Sequence, residues 1–218
     1  MNPRKTVFKV ISEPLEIHGI ANTYQDKMAR VVRALEAVDM TPPENFIFKF
    51  PHELSGGQRQ RIAVARALVL EPTFIVADEP VSMIDVSMRV GILNLLQELR
   101  NKLCITILLI THDLAVARYM SDRIAVMYLG RIVEIAPAEE LIQEPKHPYT
   151  MALVSAVPRV GMSKAERIKL NGGVPSPIDI PLGCRFRSRC PYAEPICQSA
   201  DPSLRETKPN HLVACHVA

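Results

Sequence analysis

Two short apolar runs with an amphipathic helix between them constrain this chain most. Thr73–Ala77 is nearly continuous in apolar residues, and Cys104–Ile110 repeats the pattern. Between them Val90, Ile92, Leu93, Leu96 and Leu99 recur at helical spacing over Val86–Arg100. Parallel strands need a crossover of this length, usually helical, so the stretch reads as a βαβ unit. Apolar runs without alternation are expected of strands buried on both faces. In such sheets the loops at the carboxyl ends of the strands hold ligands.

The remaining segments arrange around that unit. Thr6–His18 and Ala21–Val38 carry apolar residues at helical spacing, and Pro14 is expected to kink or split the first. Pro42-Pro43 ends this section, a loop runs to Glu53, and Gly56–Leu70 is a further helix. Downstream, Leu114–Met120 and Ala138–Gln143 read as short helices. Arg123–Tyr128 and Arg131–Ile135 flank Leu129-Gly130 as a hairpin, and His147–Val157 suits one more helix. Past Pro158 the chain is rich in Pro, Gly, Arg and Cys and loses periodicity. The expected organisation is an α/β domain over 1–144, helical to 70 and strand-helix from 71. A small, irregular, Cys-rich appendage then fills 145–218, with its boundary near residue 145.

Bulk properties exclude several classes. A chain of 218 residues can bury a sizeable core. Its net charge of +3 is too weak to suggest a nucleic-acid partner. Apolar runs such as Ile107–Ile110 fall far short of the roughly 20 residues of a membrane span, so membrane association is expected only through a partner. Met1-Asn2-Pro3-Arg4-Lys5 leads into no apolar stretch of the secretory kind, and no export signal is expected.

Four places carry chemistry. Leu54-Ser55-Gly56-Gly57-Gln58 opens a helix, where exposed N–H groups and the helix dipole favour anions; an ordinary N-cap would look similar. Asp78 and Glu79 follow the apolar run Phe74–Ala77, offering a hard oxygen ligand for Mg²⁺ and a candidate base. His112 stands in Leu109-Ile110-Thr111-His112-Asp113 at the end of the second run. Cys184, Cys190, Cys197 and Cys215 crowd the tail, while Cys104 lies alone in the second strand. Without an export signal such a cluster reads as metal-binding before disulfide, although the spacing lacks CxxC pairs. His211 and His216 are further candidate ligands, and free thiols in a small core are the alternative.

In this order the first three elements resemble the signature motif, Walker B and switch histidine of ABC-transporter ATPases. Ser82-Met83-Ile84-Asp85 resembles the D-loop, with Met and Ile where Ala and Leu are usual. The tail strings His147-Pro148-Tyr149-Thr150, Gly173-Val174-Pro175-Ser176-Pro177, Gly183-Cys184-Arg185-Phe186, Arg189-Cys190-Pro191-Tyr192 and Val213-Ala214-Cys215-His216 resemble the C-terminal extension of oligopeptide/dipeptide importer ATPases. The resemblance implies a partial ABC-ATPase nucleotide-binding domain. By it Leu54, Ser55, Gly56, Gly57, Gln58 and Asp85 serve the nucleotide across a dimer interface. Asp78 would hold Mg²⁺, Glu79 would polarise the attacking water, and His112 would contact the γ-phosphate of ATP. Cys184, Cys190, Cys197 and Cys215 would hold a [4Fe-4S] cluster, or zinc in the alternative. The implied partners are a second ABC ATPase subunit, transmembrane permease subunits and, indirectly, a peptide-binding protein, at the cytoplasmic face of the membrane. A DNA-maintenance or translation factor of the ABC type is a weaker resemblance, opposed by the tail strings and the low charge.

One departure is large. No GxxxxGK[ST] string occurs in the sequence; Gly56-Gly57 and Gly172-Gly173 lack the following Lys-Ser/Thr. The resemblance therefore reaches only the C-terminal two-thirds of such a subunit. Enzymatic activity of this chain alone is uncertain on that ground, and a non-catalytic module donating its signature motif is the alternative.

Overall fold

A computed structural model describes residues 2–82, 84–157, 168–170, 172–173, 175–176, 178 and 180–218. Met83 of the D-loop string and Val174 and Pro177 of the tail lie outside the described residues. The chain divides into two units, 1–111 and 112–218.

In the first unit three helices share one core. α1 (Val7–Ile17) is capped by Thr6 and buries Val7, Val10, Ile11 and Leu15 on one face. α2 (Tyr24–Ala37) is capped by Thr23 and contributes Val31, Ala34 and Leu35. α3 (Glu44–Ile47) is a single turn inside the expected loop. α4 (Gly56–Leu68) adds Ile62, Ala65 and Leu68. All of these, with Leu54, Leu95, Leu99 and Ile105, form one apolar cluster. Pro14 does not split α1. It lacks one N–H but keeps its carbonyl, which accepts the His18 N–H at 3.0 Å and carries the helix to its end.

The βαβ unit forms as expected. β1 (Phe74–Asp78) and β2 (Thr106–Ile110) are parallel, in register from Phe74↔Thr106 to Asp78↔Ile110, with α5 (Val86–Leu103) between them in sequence. Two expectations differ. Cys104 is not in the strand: it is the left-handed C-cap of α5 at φ 52° and is exposed. Nor are the strands buried on both faces, because burial alternates along each. Phe74, Val76, Leu108 and Ile110 are about half exposed, so helix packing covers one face of the pair only.

In the second unit α6 (Leu114–Met120) leads to β3 (Arg123–Tyr128) and β4 (Arg131–Pro137). Their turn, Leu129-Gly130, has φ of 45° and 75°, the sign pattern of a type I′ hairpin. α7 (Ala138–Gln143), α8 (Pro148–Ala156) and α9 (Ile196–Ser199) follow, then a hairpin of β5 (Arg205–Lys208) and β6 (His211–Val213). The sheet order is β3-β4-β6-β5, all antiparallel. Glu134 pairs with Val213 and Ile135 with Leu212, so strands from either side of residue 145 share one sheet. No sequence pattern announces β5, because every residue of that edge strand is exposed and none adds an apolar alternation.

Candidate functional site

The first constellation is built on the start of α4. Ser55 Oγ accepts the Gln58 N–H at 3.2 Å, and Gln58 Oε1 accepts the Ser55 N–H at 3.0 Å. This reciprocal pair is a capping box, and it fixes the entry angle of the two glycines. Leu54 turns into the core at 4% exposure, anchoring the segment rather than facing a ligand. Arg59 Nη1 reaches back to donate to Leu54 O at 2.7 Å.

The D-loop segment lies against that helix start. A Cβ at Gly56 would meet Ile84 Cγ2 at 3.8 Å, and one at Gly57 would meet Met88 Cε at 1.9 Å. Asp85 caps α5 by accepting the Met88 N–H at 3.0 Å. Gln60 Nε2 donates to Pro80 O at 2.6 Å, tying α4 to the turn after β1. No local pattern in the sequence announced the Gln60 contact, which spans 20 positions. Met88 Cε is the far end of an adaptable side chain, and alanine suits a helix better than glycine. Gly57→Ala is thus expected to change the stability of this unit by less than about 1 kcal/mol, measured by chemical denaturation.

Asp78 and Glu79 stand exposed at the carboxyl end of β1. Glu79 adopts the left-handed region at φ 44°, rare for a residue with a side chain and a mark of functional turns. Its N–H donates to Ile110 O at 2.9 Å, and its carbonyl accepts both the N–H and the hydroxyl of Ser82. The turn is thereby pinned to the end of β2. His112 is exposed and opens the second unit; Asp113 beside it caps α6 through the Ala115 and Val116 N–H groups.

The structure does not form the expected tail metal site. Cys184, Cys190, Cys197 and Cys215 are all free thiols, and among the described residues no group of three or more His, Cys, Asp or Glu forms a ligating set. Burial pushes the Cys184, Cys190 and Cys215 thiols up, and neighbouring cysteines add to the rise. The four thiols therefore lie within electrostatic reach of one another. Neither an iron–sulfur cluster nor zinc is supported by a ligand set among the described residues. His211 and His216 are committed elsewhere: both His211 nitrogens face glutamates, and His216 Nε2 lies 3.0 Å from Ala200 O.

The second unit instead has a polar centre that the sequence did not announce. Glu134 is fully buried and accepts the Lys146 and His147 N–H groups at 2.7 and 2.9 Å. His147, 1% exposed, caps α8 by accepting the Tyr149 N–H on Nδ1. Burial pushes its imidazole from 6.5 down to about 4, with Glu134 pulling weakly upward. As pH falls the unfolded chain takes up this proton first. Stability is therefore full above 6.5 and is lost between 6.5 and about 4. The loss is expected to reach ~2 kcal/mol between pH 7 and pH 4.5, read as a shift in denaturation midpoint of this unit.

Known proteins share both halves. The "ABC transporter" family model matches residues 1–82, and "Oligopeptide/dipeptide transporter, C-terminal region" matches 133–197. The oligopeptide transport ATP-binding protein AppF of Bacillus subtilis (strain 168) is 47% identical over 220 residues, spanning 100% of this chain and 66% of its own length. OppF of Salmonella typhimurium is 45% identical, spanning 99% of this chain and 64% of its own. A Brucella ovis relative named as a peptide import ATP-binding protein is 50% identical, spanning 99% of this chain and 67% of its own. This chain thus spans about two-thirds of the length of the curated relatives it matches. Among solved structures, the ATP-binding cassette MJ0796 in a dimeric post-hydrolysis state bound to ADP and Pi superposes with TM-score 0.54 and 31% identity. That match covers 62% of this chain and 58% of the other. The chain belongs to the oligopeptide/dipeptide branch of the ABC transporter ATP-binding proteins.

Proposed function

We propose that this chain acts in an ABC importer for di- or oligopeptides, where its signature segment serves ATP held mainly by a second ATP-binding subunit. One observation carries the reading: the boxed helix start at Ser55 lies beside the D-loop segment. The α4 start offers the Gly56 and Gly57 N–H groups to phosphate oxygens, with the Ser55 hydroxyl beside them and the helix dipole in support. Asp78 would hold Mg²⁺, Glu79 would orient the attacking water and His112 would face the γ-phosphate. Phosphoryl transfer consists largely of positioning and charge stabilisation, so few groups suffice once the phosphates are held. Holding them is the P-loop's task. Residues 145–218 are read as the transporter-type extension. Permease subunits and the cytoplasmic membrane face belong to the same proposal.

A nucleotide titration and a phosphate-release assay on the purified 218-residue chain are expected to give neither micromolar ATP affinity nor sustained turnover. Either result would overturn the division of labour. Co-purification with an intact ATP-binding subunit, with and without ATP, tests the donated half. Association that depends on ATP and weakens in Ser55→Ala supports it, and ATP-independent behaviour sinks it.

A further inference from the structure

We propose that His211 carries both ring protons and, as an imidazolium between Glu134 and Glu140, latches the β5–β6 hairpin onto β4 and α7. Its Nε2 lies 2.7 Å from Glu134 Oε1 and its Nδ1 lies 2.8 Å from Glu140 Oε1. A neutral imidazole has one N–H and one lone pair, so it could satisfy only one carboxylate and would set its lone pair against the other. The triad therefore needs one proton more than a neutral histidine and two carboxylates supply. Glu134 does not hold it. Two backbone donors already converge on its carboxylate, the Lys146 N–H on Oε1 and the His147 N–H on Oε2, which favours the acceptor-only ionised form. Glu140 keeps 29% of its side chain exposed and lies within electrostatic reach of the Lys208 ammonium. The extra proton belongs on the ring.

The surrounding charges fit this assignment. On β5, Lys208 pairs with Glu144 at 2.5 Å, Arg205 donates to the Cys215 and Ala218 carbonyls, and Glu206 accepts the Asn210 N–H. Lys146, before α8, leans to Glu144 at 3.7 Å. On α7, Glu139 is engaged by Arg118 and Gln143. Arg123, the charged residue of β3, pairs in register with Pro137 at the far end of the hairpin. His147 stays neutral, so no second cation competes for Glu134. Among the described residues the backbone seam to β4 is short: the pairs Glu134↔Val213 and Ile135↔Leu212, and the Ala214 N–H on Val133 O at 2.8 Å. Loss of the ring proton would turn one of the two ionic contacts repulsive and loosen that seam.

Two measurements on the ¹⁵N-labelled full chain test the latch. Long-range proton–nitrogen correlation at pH 7 is expected to show both His211 ring nitrogens protonated; one bare nitrogen overturns the proposal. Glu140→Gln, at the exposed rim and nearly isosteric, is expected to speed exchange of the Ala214 amide at least about 10-fold while the Arg59 amide of the other unit is unchanged. A change below about twofold overturns it. Raising the pH on the unsubstituted chain adds a third reading: Ala214 exchange, corrected for its intrinsic rate, should rise in step with loss of the second ring proton. Two separate transitions would sink the coupling.

Discussion

Phe186→Ala is expected to destabilise the 112–218 unit by about 4 kcal/mol. The ring is 1% exposed and sits among Tyr128, Tyr149 and His147, at centroid distances of 5.1, 5.5 and 5.6 Å. The Tyr128 contact is edge-on at 88°, the arrangement in which aromatic quadrupoles attract. Truncation would leave a hole ringed by side chains from β3 and α8, both fixed by their own caps and pairings, so little collapse can fill it. Tyr192, only six residues on, is 55% exposed. Its alanine variant is expected to stay within about 0.5 kcal/mol. Amide exchange at Ala214, bonded to Val133 O inside the sheet, reads both. Equal effects at the two positions would mean that Phe186 is not the centre of the tail's packing.

Gly183→Ala is expected to cost about 3 kcal/mol or more, for a different reason. At φ 72° the residue already occupies the left-handed region. A Cβ there would lie 2.5 Å from Cys197 O, 2.7 Å from Gln198 O and 2.8 Å from Gln198 C. All three are backbone atoms, and the neighbouring Cys184 N–H donates to the same Cys197 carbonyl at 2.9 Å. Relief would require giving up that hydrogen bond and moving the end of α9. Gly130 provides the comparison, with φ 75° but only Arg185 Nη1 nearby, at 3.7 Å. Gly130→Ala should cost only the backbone strain, about 1 kcal/mol. If both variants cost the same, steric contact at Gly183 is not what demands glycine. The tail's loops are thus shaped by close backbone approach and one aromatic ring.

Elements with a local code were legible in the sequence. The helix start at Ser55 has its cap and Gln58 partner within three residues, and β1, α5 and β2 declare themselves through periodicity. The positions of Asp78 and Glu79 at a strand end follow from the apolar run before them. What the sequence overstated is equally physical. Four cysteines in 35 residues look like a ligand set, but no group of three or more ligating side chains forms among the described residues. Pro14 looked like a break in α1, but a single missing N–H is tolerated when the flanking turns are packed into a core.

By itself, then, the sequence determined the βαβ unit, the helical core before it, the candidate residues Ser55, Asp78, Glu79 and His112, and the family their motifs resemble. The tertiary structure alone decided which polar groups are buried together. Glu134 and His211 lie 77 residues apart, and Glu140 and His211 lie 71 apart. No local propensity or periodicity encodes such pairs. They exist because β6 pairs beside β4, and removing a carboxylate from water is tolerable only where donors converge on it.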